Sequence, residues 1–184
     1  MTRRRLQLAA VVVFVLGLAA ASIALASGGD KGRGKDGQGQ FRAELVGFEE
    51  VPAINTTGRG KLRLSMPDTE LTFRLDYAGL SGPPLVAHIH VGQRKVNGGV
   101  SVFFCGGGGK PACPSSPSGS ISGTITAANV LGPVAQGFDP DELAPLKRAI
   151  KAGVAYANMH TAKFPGGEIR GQIRRGHGKG HGHG

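Results

Sequence analysis

The sequence predicts an all-β domain, mainly antiparallel, arranged as a Greek-key sandwich or barrel of about eight strands with one short helix near residues 142–152. Three observations lead to this fold class. Apolar residues alternate along most of the chain, Gly-, Pro- and Ser-rich turns separate the alternating runs, and helical spacing occurs only once. With 32 Gly, 11 Pro and no Trp in 184 residues, the composition also argues against a large helical protein.

The first half of the chain holds three strands in which every second residue is apolar. Such alternation is typical of strands that bury one face. The three runs are Phe41/Ala43/Leu45, Leu62/Leu64/Met66 and Leu71/Phe73/Leu75/Tyr77. Five more short strands are predicted at 85–91, 100–104, 120–126, 154–160 and 168–173.

One helix is predicted late in the chain, because Leu143, Leu146 and Ile150 recur at helical spacing. The residues before them resemble a helix start. Pro145 conflicts with a regular helix, since a proline inside a helix removes one hydrogen bond. We therefore expect a kinked turn followed by a helix over about 144–152.

Both ends of the chain differ from its body. Residues 1–26 have three arginines, an apolar run and a small-x-small cleavage site, which is typical of a secretory signal peptide. The alternative is an uncleaved membrane anchor, because the apolar stretch is long enough to span a bilayer. Whether residues 1–26 are a cleaved signal peptide or an uncleaved anchor, the rest of the chain is expected outside the cytoplasmic membrane, secreted or in the cell envelope.

The remaining residues divide into three parts. Residues 27–39 are predicted to form a disordered linker, 40–173 the β domain, and 174–184 a disordered tail rich in Gly, His and basic residues.

The formal net charge of +10 would suggest a nucleic-acid-binding protein, but the location of the charges argues against this interpretation. Nine of the 22 Lys and Arg residues lie in the two ends of the chain, and the domain between them is close to balanced. We therefore expect no specific nucleic-acid partner. Contact with a membrane is expected only through residues 1–26, if they are not cleaved.

Two cysteines, Cys105 and Cys113, flank a run of four glycines. In an exported chain such a pair predicts a disulfide. The alternative, a metal-binding or redox pair, is disfavoured because there is no Cys-x-x-Cys spacing and no neighbouring histidine.

Three histidines in predicted strands carry the most chemical information. His88 and His90 are two residues apart and therefore share one strand face. His160 lies on another strand, on the same face as Asn158. If the two strands are neighbours, three imidazoles converge, and such a set suits one zinc or copper ion with an open fourth position. Asn158 and Glu168 are then the expected partners that hold the ring tautomers.

A second interpretation of the same histidines stays open, namely a polar cluster of hydrogen-bonded side chains with no metal. The sequence contains no nucleophile elbow, phosphate loop or serine–histidine–aspartate pattern. No catalytic residue is therefore assigned, and an enzymatic function is the less favoured interpretation of the sequence.

Four stretches, taken together and in this order, resemble the CHRD domain, a module named for its occurrence in chordin. They are Glu49–Pro52, Ala87–Gly92, Tyr156–Thr161 and Pro165–Ile173. The resemblance covers roughly residues 41–173. It implies an extracellular or exported β-rich module without an assigned activity, and it places His88, His90 and His160 inside the family motifs.

Two functions are consistent with these observations. The first is an exported, non-enzymatic binding or structural module with an unknown extracellular or cell-envelope partner. The alternative is a mononuclear copper- or zinc-binding protein that uses His88, His90 and His160.

Overall fold

A computed structural model describes residues 39–176 of the chain. Within these residues it contains nine β-strands, one α-helix and three short 3-10 turns. The strands are β1 Phe41–Val46, β2 Arg59–Ser65, β3 Leu71–Ala78, β4 Pro84–Val91, β5 Gly99–Cys105, β6 Gly119–Ile125, β7 Ala155–Thr161, β8 Ile169–Gln172 and β9 Arg174–Arg175; the helix is α1 Leu143–Lys151, and the 3-10 turns are Gly47–Glu49, Ala127–Asn129 and Val134–Gln136. The predicted all-β fold class with one short helix is confirmed.

The strands form one antiparallel sheet that curls into a nearly closed barrel. Their order is β5-β4-β7-β8-β1-β2-β3-β6, and β9 pairs with β1. The end strands β5 and β6 approach each other, and next to them Phe104 of β5 contacts Phe73 of β3, with ring centroids 4.6 Å apart. The barrel, rather than the sandwich, is therefore the form that this chain adopts.

The alternating apolar residues line the inside of the barrel. Along β1 every second residue is buried, and β3 repeats the pattern. Burial of this apolar surface is the main driving force for the fold. The fully buried large side chains include Leu45, Leu62, Leu75, Ile89, Ile125 and Met159. The predicted periodicity of the first three strands is confirmed.

Helix α1 begins at Leu143, and Pro145 is its third residue. A turn at 140–141 precedes the helix, close to the predicted turn and helix start, and Pro145 is tolerated because an N–H in the first helical turn has no acceptor within the helix. Leu146 and Ile150 are fully buried in the same core as the strands. Lys147 donates hydrogen bonds to the carbonyls of the turn between β2 and β3, which fixes the helix against the barrel.

The chain pairs further toward its C-terminus than predicted. Arg174 and Arg175, assigned to the disordered tail, form β9 opposite Arg42 and Phe41. Backbone pairing needs no apolar side chains, so the composition of the sequence did not predict that the paired region extends to Arg175.

The predicted signal peptide, almost all of the linker and residues 177–184 of the tail lie outside the described residues. Within 39–176, no helix is long and apolar enough to span a membrane.

The predicted disulfide between Cys105 and Cys113 is present. Cys105 ends β5 and is buried. The loop returns through Gly106, Gly108 and Gly109, whose positive φ angles of 77°, 57° and 73° strongly favour glycine. The bond therefore closes a tight turn outside the paired strands.

Removal of this bond is expected to weaken the fold without abolishing it. The double substitution C105A/C113A should lower the free energy of unfolding by about 2–3 kcal/mol, the loop-closure term for so short a loop. Urea unfolding of both proteins measures the difference. Loss of the native circular dichroism spectrum in the variant would contradict the view that the barrel core is independent of this loop.

Candidate metal centre

Strand β4 presents two histidines on the outer face of the barrel. Its inward residues Ala87, Ile89 and Val91 are buried in the core. His88 and His90 therefore point the opposite way, as the two-residue period of a strand requires. His88 is nevertheless shielded from solvent, with 5% of it exposed, and His90 is half-buried.

The neighbouring strand β7 supplies the third histidine. Antiparallel pairing sets Asn158 opposite His88 and His160 opposite Val86. His160 is two residues beyond Asn158 and therefore lies on the same face of the sheet. The centroid of the His88 ring lies 4.4 Å from that of His90 and 4.7 Å from that of His160. One ring nitrogen of each histidine lies within 4.8 Å of the other two. The structure thus brings together the three histidines that the sequence singled out.

Two of the rings are oriented by backbone carbonyls. The Nδ1 atom of His90 lies 2.8 Å from the oxygen of Gly98, and that of His160 lies 2.8 Å from the oxygen of Pro165. A carbonyl oxygen only accepts hydrogen bonds, so Nδ1 carries the proton in both rings. In the neutral rings the lone pair is then on Nε2, and both Nε2 atoms are buried without a hydrogen-bond partner among the described residues.

The environment keeps the three imidazoles neutral. Burial lowers the pKa of His88 to about 3, and the neighbouring His90 and His160 act in the same direction. Burial also lowers the pKa of His90 and of His160, although the backbone hydrogen bonds to Gly98 and Pro165 oppose this shift. Neutral imidazole is the form that coordinates a metal.

Asn158 lies on this face opposite His88 and is 3% exposed. Hydrogen bonding by its side chain partly offsets the lowered pKa of His88 and His90. Its Oδ1 atom has no hydrogen-bond partner among the described residues. Asn158 is therefore placed to orient the histidines on β4.

A stack of three planar groups supports His90 from the side. The ring of Tyr156 is parallel to that of His90 within 5°, with centroids 4.7 Å apart. The guanidinium carbon of Arg170 lies 3.4 Å from the Tyr156 centroid, a close cation–π contact. The stack fixes the plane of the His90 ring.

Arg170 also holds the loop that carries the His90 acceptor. It is 2% exposed and donates hydrogen bonds to the Asn97 side chain and to the carbonyls of Gln93 and Val96. Gly98, whose carbonyl accepts from His90, follows directly in the same loop. Alternation along the sequence gave no sign of this loop contact.

Glu50 is a buried carboxyl group on the same side of the barrel, and the sequence did not single it out as a site residue. Burial raises its pKa to about 7, while the charge of Arg170 and a hydrogen bond from Asn158 act against the shift. A Cβ at Gly167 would lie 2.5 Å from Glu50 Oε1, so only glycine fits beside it. Its neighbour Glu49 pairs instead with Arg94 at the surface.

Glu168 does not contact the histidines, which corrects the expectation that it holds a ring tautomer. Its carboxylate accepts hydrogen bonds from the hydroxyls of Thr56, Thr161 and Ser81 and from the Ser81 backbone N–H, at 2.7–2.8 Å. The chain bends before β8, so the alternation of that strand does not extend to position 168. Glu168 therefore ties the β1–β2 and β3–β4 connections to β7.

The hydrogen bonds of Glu168 predict a pH-dependent contribution to stability. Burial raises the pKa of Glu168, but the hydrogen bonds from Thr161, Thr56 and Ser81 together lower it by more than burial raises it. The net pKa therefore lies below the ordinary value. The ionised form is thus favoured in the folded state, and its contribution is present above the unfolded pKa of about 4.3 and lost as pH falls through the folded value.

Substitution E168Q should therefore lower the free energy of unfolding at pH 7 by about 1.5–3 kcal/mol, the range for hydrogen bonds to a charged group. Near pH 3 the difference from the unmodified protein should shrink, because a protonated carboxyl resembles the amide. Urea unfolding at both pH values measures it. An equal loss at pH 3 and pH 7 would contradict a role for the carboxylate charge.

Comparison with known proteins gives a family match. The CHRD domain family model matches residues 41–173, which include all of the strands from β1 to β8 and the three histidines. No curated protein and no solved structure shows a significant match to the chain. The matched region is most of the chain, so this protein belongs to the CHRD domain family.

Proposed function

We propose that this chain is an exported CHRD-domain protein that binds one zinc or copper ion through His88, His90 and His160. A single observation carries the proposal. The Nε2 atoms of His90 and His160 are buried beside a third imidazole with no hydrogen-bond partner among residues 39–176, and a backbone hydrogen bond on Nδ1 fixes each ring. Buried polar atoms are normally satisfied, and a metal ion satisfies these.

The donor set fits the chemistry of both ions. Three neutral imidazoles suit Zn²⁺ or copper and leave a fourth position for water or another ligand. Metal–nitrogen distances of about 2.0–2.1 Å require tetrahedral nitrogens about 3.3 Å apart. The nitrogens lie within 4.8 Å of one another, so small ring rotations suffice. Hydrogen bonds from Nδ1–H to a carbonyl are the usual second contact of a metal-bound histidine.

Export is part of the proposal and is supported by two features. The first is the charged and apolar pattern of residues 1–26. The second is the Cys105–Cys113 disulfide, since such bonds persist mainly in oxidising compartments. The sequence has no recognised catalytic motif, and the protein is therefore proposed to act as a binding module.

A metal-free module is the second candidate, favoured by the packing around His90. Tyr156 stacks on that ring and Arg170 stacks on Tyr156, so this packing accounts for the burial of His90 without an ion. The two candidates differ in one measurable quantity, the metal content of the folded protein.

Metal content tests the proposal in a protein whose tail histidines have been replaced. The substitutions H177N, H181N and H183N remove the tail imidazoles, which bind metal on their own. This protein should contain close to one equivalent of zinc or copper by elemental analysis. In the same background H88Q, H90Q or H160Q should each reduce the content below about 0.1 equivalent. Glutamine retains an N–H donor for the backbone carbonyl while removing the second ring nitrogen.

Thermal unfolding of each variant without added metal shows whether the barrel persists. If the protein with replaced tail histidines is folded but takes up no zinc or copper when either is supplied, the metal-free module is left as the function. Copper(II) bound at the site is distinguished from zinc by electron paramagnetic resonance.

Arg170 should influence the site without being a ligand. The substitution R170K keeps the charge but removes the planar group that stacks on Tyr156 and bonds to the 93–97 loop. Metal affinity should fall by about 10- to 100-fold, the range for outer contacts of metal ligands, while the stoichiometry stays at one. A competition titration with a chelator measures the affinity. An unchanged affinity would show that the loop holds His90 without Arg170.

A further inference from the structure

Four arginines form a row across four neighbouring strands on the outer face of the barrel. Arg174 of β9 lies opposite Arg42 of β1, Arg42 lies opposite Arg63 of β2, and Arg63 lies opposite Arg74 of β3. All four are exposed. With strands about 4.8 Å apart, the row is about 15 Å long. It is hereafter called the arginine row.

Such a row opposes the usual pairing of charges in a sheet, where like charges directly opposite each other destabilise. Asp76 offsets part of the repulsion, at 3.0 Å from Arg63 and 2.8 Å from Arg74. Both arginine side chains remain more than half exposed in these ion pairs. The guanidinium groups of Arg63 and Arg74 are therefore accessible to an external anion.

The face around the row holds most of the excess charge of the barrel. On β1, β2, β3 and β9 the residues Arg42, Arg59, Lys61, Arg63, Arg74 and Arg174 face outward with only two acids, Glu44 and Asp76. The other residues between 41 and 175 carry nine Lys or Arg and eight Asp or Glu. A near-balanced domain thus has one strongly positive face.

Two depressions accompany the row. One, of about 580 Å³, is lined by Arg42, Arg174 and Arg94 and also by the acidic residues Glu44 and Glu49. Another, of about 230 Å³, lies between Arg63 and Arg74 and includes Ser65 and Thr72. Guanidinium and hydroxyl donors therefore line a path across the strands.

We propose that the arginine row binds an extended polymer of phosphate groups that carries no bases. The guanidinium fork matches a phosphate with two parallel hydrogen bonds, and the row repeats this donor about every 5 Å. The outward positions of β1, β2 and β3 contain no aromatic side chain on which nucleobases stack. They contain Val46 and Ala78 as the only apolar residues, too little to enter a lipid surface. The site is separate from the histidines and does not depend on the proposed metal.

Inorganic polyphosphate is the probe for this site. Binding by the full chain is measured by isothermal titration at several salt concentrations, for the unmodified protein and for R63Q/R74Q. The matched control K151Q/K163Q removes the same charge from exposed positions outside the row. All three proteins keep the basic tail, so its contribution is the same throughout.

The row variant should bind polyphosphate about tenfold or more weakly at low salt, and its affinity should depend less steeply on salt, by a slope of about 2 for two lost contacts. The control should change affinity by less than about twofold. A second row variant, R42Q/R174Q, should show the same loss and serves if R63Q/R74Q does not fold. Equal losses in row and control variants would assign binding to net charge and overturn the proposal.

Charge-preserving substitution and other polymers complete the test. R63K/R74K keeps the charge but loses the fork, and should bind polyphosphate several-fold more weakly than the unmodified protein. Tighter binding of single-stranded DNA or of heparin, at equal charge, would overturn the assignment to a base-free phosphate polymer.

Discussion

The pairing of β4 with β7 is the constraint on which the candidate metal centre depends. A shift of one residue in this register would turn the histidines of one strand into the core. The inward residues prevent such a shift, because Ala87, Ile89 and Val91 of β4 and Ala155, Ala157 and Met159 of β7 are all buried. Hydrophobic burial on the inside thereby sets the position of polar side chains on the outside. The site is a consequence of the core rather than an addition to it.

The loops fix the orientations of the histidine rings that strand pairing leaves undetermined. Strand geometry brings three rings together but leaves each ring free to rotate. Gly98 and Pro165, both in connections between strands, each accept a hydrogen bond that selects one tautomer. Arg170 holds one of these connections and stacks on Tyr156, so a single buried side chain links β8, the 93–98 loop and the plane of His90. Glu168 performs a comparable structural task away from the histidines, with hydroxyl partners on three segments.

The barrel has two different outer faces, and they suit different ligands. The face formed by β4 and β7 is shielded, and its imidazoles are held neutral by burial. The face formed by β9, β1, β2 and β3 is exposed and carries arginines in register. A shielded set of nitrogen donors suits a small cation, while an exposed row of guanidinium groups suits a large anion. Both faces rest on the same apolar core, so substitutions on one leave the other accessible to measurement.

The sequence by itself determined the elements that follow from local periodicity. Alternation along 41–45 and 71–77 predicted buried strands, and spacing predicted that His88 and His90 share a face, because side chains on a strand alternate regardless of what surrounds them. Local pattern did not determine two further details: the first turn of α1 tolerates Pro145, and Arg174–Arg175 pair through their backbones. Only the tertiary structure decided that β7 lies beside β4, that Glu168 bonds to hydroxyls instead of imidazoles, and that four arginines line up. These facts depend on strand order and register between residues far apart in sequence, which no local pattern encodes.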